Sequence, residues 1–198
     1  MAEEKIVKPL KYKLLSGLSE KQLAEHHDVL YAGYVKKTNE IRAKIPNADK
    51  ENPNATFSEL RELKAEESFA LNGVKLHEGY FDNMAAQPGA PNGAILELIS
   101  RDFGSYESWE KEFRALGVSA RGWVILAYDF DDKKLFNVLC DAHNHAGIWN
   151  CIALLIMDVY EHAYFVDYAT ARKKYIDAFF GNIDWNEINE RIGKYGVK

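Results

Sequence analysis

The sequence predicts an α+β fold, with an N-terminal antiparallel helical hairpin and a C-terminal α/β domain that holds a three-stranded antiparallel sheet. Two long segments of the first half begin with helix-capping patterns and continue with helix-forming residues. From residue 122 onward, short runs rich in β-branched and aromatic residues replace them. The segment "AAQPGAPNG" at 85–93 holds two Pro and two Gly, which is typical of a linker. We therefore predict domains at 1–88 and 89–198.

The first two helices follow from their start signals. Ser19 and Gln22 form a capping-box pattern that predicts a helix over about 20–44. The turn-rich stretch "IPNADKENPNA" then connects it to a second capping-box pattern, formed by Thr56 and Glu59. Because the connection between the two long helices is short, we expect them to lie antiparallel.

The second half predicts two short helices, then strands, then helix again. The short helices are "AILELISRDFG" and "SYESWEKEFRALG", and Ser105 caps the second. "GWVILAYDF" and "KLFNVLCDA", joined by "DDKK", predict a β-hairpin. "IALLIMD" is a third strand, and its apolar character on both faces predicts a central position in the sheet. Asp184 is the predicted N-cap of the last helix.

The bulk composition excludes several classes of protein. Apolar residues make up 47% of the chain, which is enough for a sizeable core. The net charge of −5 argues against a nucleic-acid partner, and no apolar run is long enough to span a membrane. The N-terminus, "MAEEKIVKPLKYK", lacks the apolar segment of a signal peptide. Together with Cys140 and Cys151, interpreted as reduced thiols, this predicts a cytoplasmic protein.

Histidines at helical spacing make the candidate metal ligands. In the first helix His26 shares a face with Leu30 and Tyr34, at i, i+4 and i+8. In the second helix Gly73 lies one turn before His77, which indicates either open space or close packing there.

A second pair of candidate ligands lies at the exit of the third strand. Asp158 and His162 are four residues apart and follow an apolar run. A carboxylate at the end of a buried strand needs compensation. Three imidazoles and one carboxylate suit a transition metal such as Fe or Mn, and zinc would also accept them.

At this point the motifs resemble those of a known family, the iron/manganese superoxide dismutases. "MDVYEHAYF" at 157–165 is similar to the family signature D-x-[WY]-E-H-A-[FY]-[FY]. "AEHHDVLYAGYV", "LNGVKLHEGYF", "RDFGSYESWEKEF", "ARGWVIL" and "RKKYIDAFFGNIDW" are similar to other family segments, in the same order and over nearly the whole chain. The resemblance implies a superoxide dismutase with one Fe or Mn ion per subunit, placed between the two domains. The implied metal ligands are His26, His77, Asp158 and His162.

The resemblance also implies roles for residues around the metal. Tyr34 would lie at the mouth of the substrate channel, Trp123 would line the pocket, and Arg172 would guide the superoxide anion. A solvent molecule would take the fifth metal position. Glu161 would reach the ligand histidine of a partner subunit, in a homodimer or a dimer of dimers.

Two features of the sequence depart from the family pattern. The family usually places a glutamine against the metal-bound solvent, either at the position of Gly73 or just before the signature segment. Here His143 is the predicted donor to that solvent, with His145 as the alternative. Many members also pair a histidine with a tyrosine across the dimer interface, where this chain has Leu30 and Phe165. Because both partners are apolar together, we expect Leu30 and Phe165 to pack across the interface.

Three other functions compete with a dismutase. A mononuclear iron oxygenase needs more open metal positions than four protein ligands leave. A metallohydrolase needs a general base beside the metal, and the motifs offer no spare carboxylate for it. A non-catalytic, metal-stabilised dimerisation module of the same fold would not need Tyr34, Arg172 or His143.

Overall fold

A computed structural model describes residues 3–198 and confirms the predicted α+β class. Within that range five α-helices precede three consecutive strands, and three α-helices follow them. The α-helices are α1 Glu20–Ala24, α2 Ala32–Lys44, α3 Glu59–Asp82, α4 Gly93–Phe103, α5 Tyr106–Ser119, α6 Phe165–Tyr168, α7 Arg172–Phe180 and α8 Trp185–Tyr195. The strands are β1 Trp123–Asp129, β2 Lys134–Cys140 and β3 Cys151–Asp158. None of the helices in residues 3–198 is long and apolar enough to cross a membrane.

The first long helix is interrupted by a π-helical segment. A π-helix at Glu25–Tyr31 joins α1 to α2, and Ser19 caps α1 by accepting from the Gln22 N–H at 3.1 Å. Each π turn holds more residues than an α turn, so the inward face shifts. Leu30 is therefore only half-buried, while Tyr31 is 1% exposed. The predicted α-helical face that Leu30 shares with His26 is altered by this segment.

The second capping-box prediction is wrong by two residues. Ser58, not Thr56, is the N-cap of α3, and its hydroxyl accepts from the Arg61 N–H at 3.4 Å. The side chain of Gln22 also does not close the first capping box. It reaches instead to main-chain groups of residues 162 and 166. Sequence spacing identified the helix starts but not these partners.

The sheet has the order β2-β1-β3 with both pairings antiparallel. The predicted hairpin of β1 and β2 is confirmed, but the predicted central position of β3 is wrong. β1 is central, and β3 is an edge strand that packs against α3 and α8. Helix packing, rather than a second neighbouring strand, explains why β3 is apolar on both faces.

Side chains satisfy the free edge of β3. The Ile156 N–H donates to Oδ1 of Asn83 at 2.8 Å, and Nη1 of Arg191 donates to the Leu154 carbonyl at 2.9 Å. Asn83 is fully buried and Arg191 is 9% exposed. An edge strand needs such cover because its unpaired groups would otherwise remain unsatisfied or pair with another chain. These contacts fix β3, which carries Asp158 at its end.

Candidate metal centre

Four side chains from separate parts of the chain converge at one point. His26 comes from the π segment, His77 from α3, Asp158 from the end of β3 and His162 from the 3-10 turn Glu161–Ala163. One nitrogen or oxygen atom of each lies within 4.8 Å of the others. His26, His77 and Asp158 are fully buried. The structure therefore brings together the four ligands that the resemblance implied.

One carboxylate oxygen of Asp158 faces all three imidazoles. Nε2 of His26 and Nε2 of His162 each lie 3.1 Å from Oδ2 of Asp158. Nε2 of His77 lies 3.6 Å from the same oxygen. Oδ1 of Asp158 points away and accepts from the Tyr160 N–H at 2.9 Å.

The orientation of His77 leaves a lone pair directed into the cluster. Nδ1 of His77 lies 2.6 Å from the Gly73 carbonyl, so this nitrogen carries hydrogen and donates. Nε2 then bears the lone pair, and it has no hydrogen-bond partner among residues 3–198. Buried polar atoms are nearly always satisfied. A cation at the centre of the cluster would satisfy this one.

The electrostatics keep the carboxylate charged and two of the imidazoles neutral. Burial acts to raise the pKa of Asp158, but the charge and hydrogen bonds of His162 and His26 outweigh it and hold the pKa well below its usual range. Burial lowers the pKa of His26, and it lowers the pKa of His77 to about 3. Deprotonated imidazole and carboxylate are the forms that bind metals.

The cluster fits a single transition-metal ion. Ligand atoms about 2.0–2.2 Å from a common ion, at angles of 90–120°, lie about 3.0–3.7 Å apart. The separations from Oδ2 of Asp158, 3.1 to 3.6 Å, fall in that range. Three imidazoles and one carboxylate suit Fe and Mn.

A hydrogen-bonded chain of three side chains borders the cluster. Nε1 of Trp123 donates to Nδ1 of His143 at 2.9 Å, and Nε2 of His143 lies 2.7 Å from the Tyr34 hydroxyl. The rings of Tyr34 and Trp123 lie 5.3 and 5.0 Å from that of His77, centroid to centroid. His143 is 4% exposed, whereas His145 is exposed to solvent. The geometry thus places His143, and not His145, beside the cluster.

Burial shapes the protonation of this chain of side chains. It raises the pKa of Tyr34 to about 12 and lowers the pKa of His143 to about 4. At neutral pH the tyrosine is therefore a phenol and the histidine an uncharged imidazole.

Gly73 allows Tyr34 to approach α3 closely. A Cβ atom at Gly73 would lie 2.8 Å from Cδ1 and 2.9 Å from Cγ of Tyr34. Of the two readings that the sequence left open, close packing is therefore the one observed.

Arg172 and Glu161 lie at the periphery. Nε of Arg172 donates to the Tyr164 hydroxyl at 3.0 Å, and Nη1 donates to the Ala120 carbonyl at 2.8 Å. Glu161 is exposed, as is Phe165, with 48% of its surface accessible. Leu30 is half-buried.

Sequence reasoning missed Gln22, which ties the first helix to the turn that carries His162. Nε2 of Gln22 donates to the His162 carbonyl at 2.6 Å, and Oε1 accepts from the Val166 N–H at 3.1 Å. The residue is fully buried. Its place in the capping-box pattern concealed this contact. The one available signal was its position one helical turn before His26.

Comparison with known proteins points to a single family. Residues 91–191 match the family model described as iron/manganese superoxide dismutases, C-terminal domain. The chain is 42% identical to an iron superoxide dismutase of Aquifex aeolicus over 189 residues, which span 93% of this chain and 89% of that protein. It is 39% identical to an iron superoxide dismutase of Cupriavidus metallidurans over 181 residues, or 90% of each chain. Superoxide dismutase [Mn] 2 of Haloferax volcanii is 36% identical over 182 residues, which span 90% of this chain and 89% of that protein.

Proposed function

The chain belongs to the iron/manganese superoxide dismutase family, and on that premise we propose that it converts two superoxide anions and two protons into dioxygen and hydrogen peroxide with one Fe or Mn ion. The observation that carries this function is the convergence of His26, His77, Asp158 and His162 within 4.8 Å, in a chain 36–42% identical to enzymes of this name. Relatives of both metal types occur, which supports a site that accepts either ion.

His26, His77, Asp158 and His162 would hold the ion. The bound metal supplies a one-electron redox change between its 3+ and 2+ states. With the ion bound, the imidazoles would be uncharged and Asp158 would contribute one negative charge, so the site would remain positive and would attract an anion. The buried aromatic surroundings, with Trp123 fully buried, strengthen that attraction because the local dielectric constant is low.

Outside the cluster, side chains guide the anion and manage protons. The protein carries a net charge of −5, which repels superoxide at long range, so a local cation is needed to focus it. Arg172, held by Tyr164 and by the Ala120 carbonyl, takes that role. Tyr34 lies at the mouth of the site, where its hydroxyl holds a proton, and His143 and Trp123 support it.

We also propose the organisation around this site. Residues 1–88 form a helical-hairpin domain and residues 89–198 an α+β domain; the first two ligands come from one and the last two from the other. Two copies associate through Glu161 and the Leu30/Phe165 region, as a homodimer or dimer of dimers. The exposed position of Glu161 and Phe165 supports this. The unpaired thiols Cys140 and Cys151 support a reducing, cytoplasmic location.

The test combines metal analysis with an assay. The protein is loaded with Fe or with Mn, its metal content is measured, and superoxide decay is followed with each form. Loss of metal is expected for His77→Ala, because His77 supplies a fully buried ligand atom. The control is His145→Ala, which changes an exposed histidine and should retain metal. If neither metal supports superoxide decay, or if His77→Ala keeps its full metal content, the proposal is wrong.

A further inference from the structure

His143 stands between one group that can only donate a hydrogen bond and one that can donate or accept. The indole N–H of Trp123 lies 2.9 Å from Nδ1 of His143. On the other side of the ring, the hydroxyl of Tyr34 lies 2.7 Å from Nε2. All three side chains are held in place, since Trp123 and His143 are 0% and 4% exposed and Tyr34 packs on Gly73.

The indole fixes the tautomer of the imidazole. An indole nitrogen has a hydrogen and no lone pair to offer, so it is a donor only. Nδ1 of His143 must therefore accept, which leaves the ring neutral with its single hydrogen on Nε2. We infer that Trp123 is a positioning residue that locks His143 as the Nε2–H tautomer, so that His143 donates to the Tyr34 oxygen and the Tyr34 O–H is free to point at the incoming anion.

The histidine at position 143 has fewer N–H groups to donate than the glutamine that the family usually places against the metal-bound solvent. A glutamine amide has two N–H groups and can serve two acceptors at once, whereas a neutral imidazole has one. If the N–H of His143 goes to Tyr34, none remains for solvent at the metal. In this arrangement His143 does not donate to that solvent, which differs from the expectation from the sequence.

The consequence falls on Tyr34. Its oxygen accepts from His143, and within residues 3–198 its hydroxyl has no second hydrogen-bond partner. The O–H can therefore turn toward a small anion that enters beside His77, whose ring centroid lies 5.3 Å from that of Tyr34. The identity of that anion as superoxide rests on the proposed function; the direction of the hydrogen bonds does not.

Neutron diffraction from deuterated crystals of the metal-loaded protein tests the inference directly. We expect deuterium on Nε2 of His143, directed at the Tyr34 oxygen, and none on Nδ1. The Tyr34 O–D should point away from His143. Deuterium on Nδ1, a Tyr34 O–D pointing at Nε2, or an Nε2–D directed at solvent would each overturn the inference. None of these outcomes depends on whether superoxide decays, so failure here is distinct from failure of the proposed function.

A solution experiment tests the role of Trp123. Ultraviolet resonance Raman difference spectra between the metal-loaded protein and its Tyr34→Phe variant isolate Tyr34, whose ring doublet reports whether the hydroxyl accepts or donates. We expect the acceptor signature in the parent protein. In a Trp123→Phe background, the freed imidazole can change tautomer, and the signature should shift toward that of a donor.

Trp109→Phe is the matched control. Trp109 is also fully buried, and its indole N–H donates to Asn137 at 3.1 Å rather than to His143. This variant should leave the Tyr34 signature unchanged. Equal shifts in both tryptophan variants, or no shift in Trp123→Phe, would reject the positioning role. Should Trp123→Phe fail to fold, the acceptor or donor signature of the parent protein still decides the tautomer.

Discussion

At the scale of single residues, the contact between Gly73 and Tyr34 sets the position of the Tyr34 ring. A glycine inside a helix costs about 0.5–1 kcal/mol relative to alanine. That cost is offset here because the Tyr34 ring occupies the space that a Cβ would fill, at 2.8 to 2.9 Å. The carbonyl of Gly73 also accepts a hydrogen bond from His77. One residue therefore orients the His77 ring and provides the space that the Tyr34 ring occupies.

Gly73→Ala should therefore destabilise the protein although it favours the helix. Inserting a methyl group into a packed site costs about 1–3 kcal/mol, which exceeds the helix gain of about 0.5–1 kcal/mol. The expected result is a lower free energy of unfolding in urea and a Tyr34 hydroxyl displaced from His143. Gly33→Ala is the control, because nothing lies within 4 Å of a Cβ at Gly33. Equal stability changes in the two variants would contradict this account.

The individual site residues were accessible to sequence reasoning to different degrees. His77 and His162 lie in sequence segments that resemble motifs of the family, and the structure brings the two side chains together. The partners of His143 were not predictable, because Trp123 is twenty positions away in sequence and Tyr34 more than a hundred. Contacts made by the fold, rather than by local spacing, decide which ring nitrogen donates.

At the scale of elements, Gln22 couples α1 to the turn that holds His162. The side chain bonds main-chain groups at 162 and 166 from a fully buried position. Gln22→Leu keeps similar volume and removes both bonds. We expect faster loss of metal to a chelator, by about 5- to 30-fold if the ligand turn loosens by 1–2 kcal/mol. Gln87→Leu, which alters an exposed glutamine in the linker, is the control and should lose metal at the rate of the parent protein. If Gln22→Leu also loses metal at that rate, Gln22 does not stabilise the turn that carries His162.

The junction between α4 and β2 gives a prediction about acid stability. Asp102 accepts from the Leu135 N–H at 2.8 Å and from Arg101 at 2.8 Å, with a side chain 3% exposed. Burial acts to raise the pKa of Asp102, but these bonds outweigh it and the pKa lies below its ordinary value. Since the folded pKa lies below the unfolded one, the stabilisation is present above the unfolded value of about 3.9 and is lost as pH falls through the folded pKa.

Asp102→Asn should remove that pH-dependent part. The variant should be less stable than the parent protein at pH 7, and the difference in unfolding free energy should narrow as pH falls below about 4. Urea unfolding across this pH range measures it. Asp132→Asn, in the exposed turn between β1 and β2, is the control, and its unfolding free energy should depend on pH in the same way as that of the parent protein. A constant difference at all pH values would show that the charge of Asp102 is not responsible.

The elements themselves were largely predictable, with two instructive exceptions. The caps at Ser105 and Asp184 and the β1–β2 hairpin were predicted from local patterns, because local residues determine them. The edge position of β3 was not, since Asn83 and Arg191, far away in sequence, satisfy its free groups. The π segment at 25–31 was also not predictable, because one locally wider turn leaves the apolar pattern of period 3.6 almost unchanged.

At the scale of the whole molecule, three exposed apolar side chains lie in or next to the segments that carry His26 and His162. Val29 in the π segment is 59% exposed, and Phe165 and Val166 in α6 are each 48% exposed. The link between Gln22 and Val166 holds α6 against the first helix. Exposed apolar patches beside polar residues are typical of protein interfaces. These side chains, with the exposed Glu161 of the turn that carries His162, are candidates for the proposed interface between two copies.

The Leu30/Phe165 pairing can be tested by restoring the polar pair that many family members have. Leu30→His or Phe165→Tyr alone would place one polar group against an apolar partner, at a cost of about 1–3 kcal/mol to association. Combined, the two changes supply donor and acceptor together, so the double variant should associate more tightly than the sum of the single changes predicts. Sedimentation equilibrium gives the dissociation constants.

Phe57→Tyr serves as the reference for a hydroxyl added elsewhere, because Phe57 is 70% exposed in the loop before α3. It should leave association unchanged. The double-variant cycle is informative because residues that touch or share a partner show a coupling energy, whereas the effects of distant, independent residues add. A monomeric parent protein would reject the interface itself. Strictly additive effects in a dimeric protein would reject only the pairing, because residues without shared contacts do not couple.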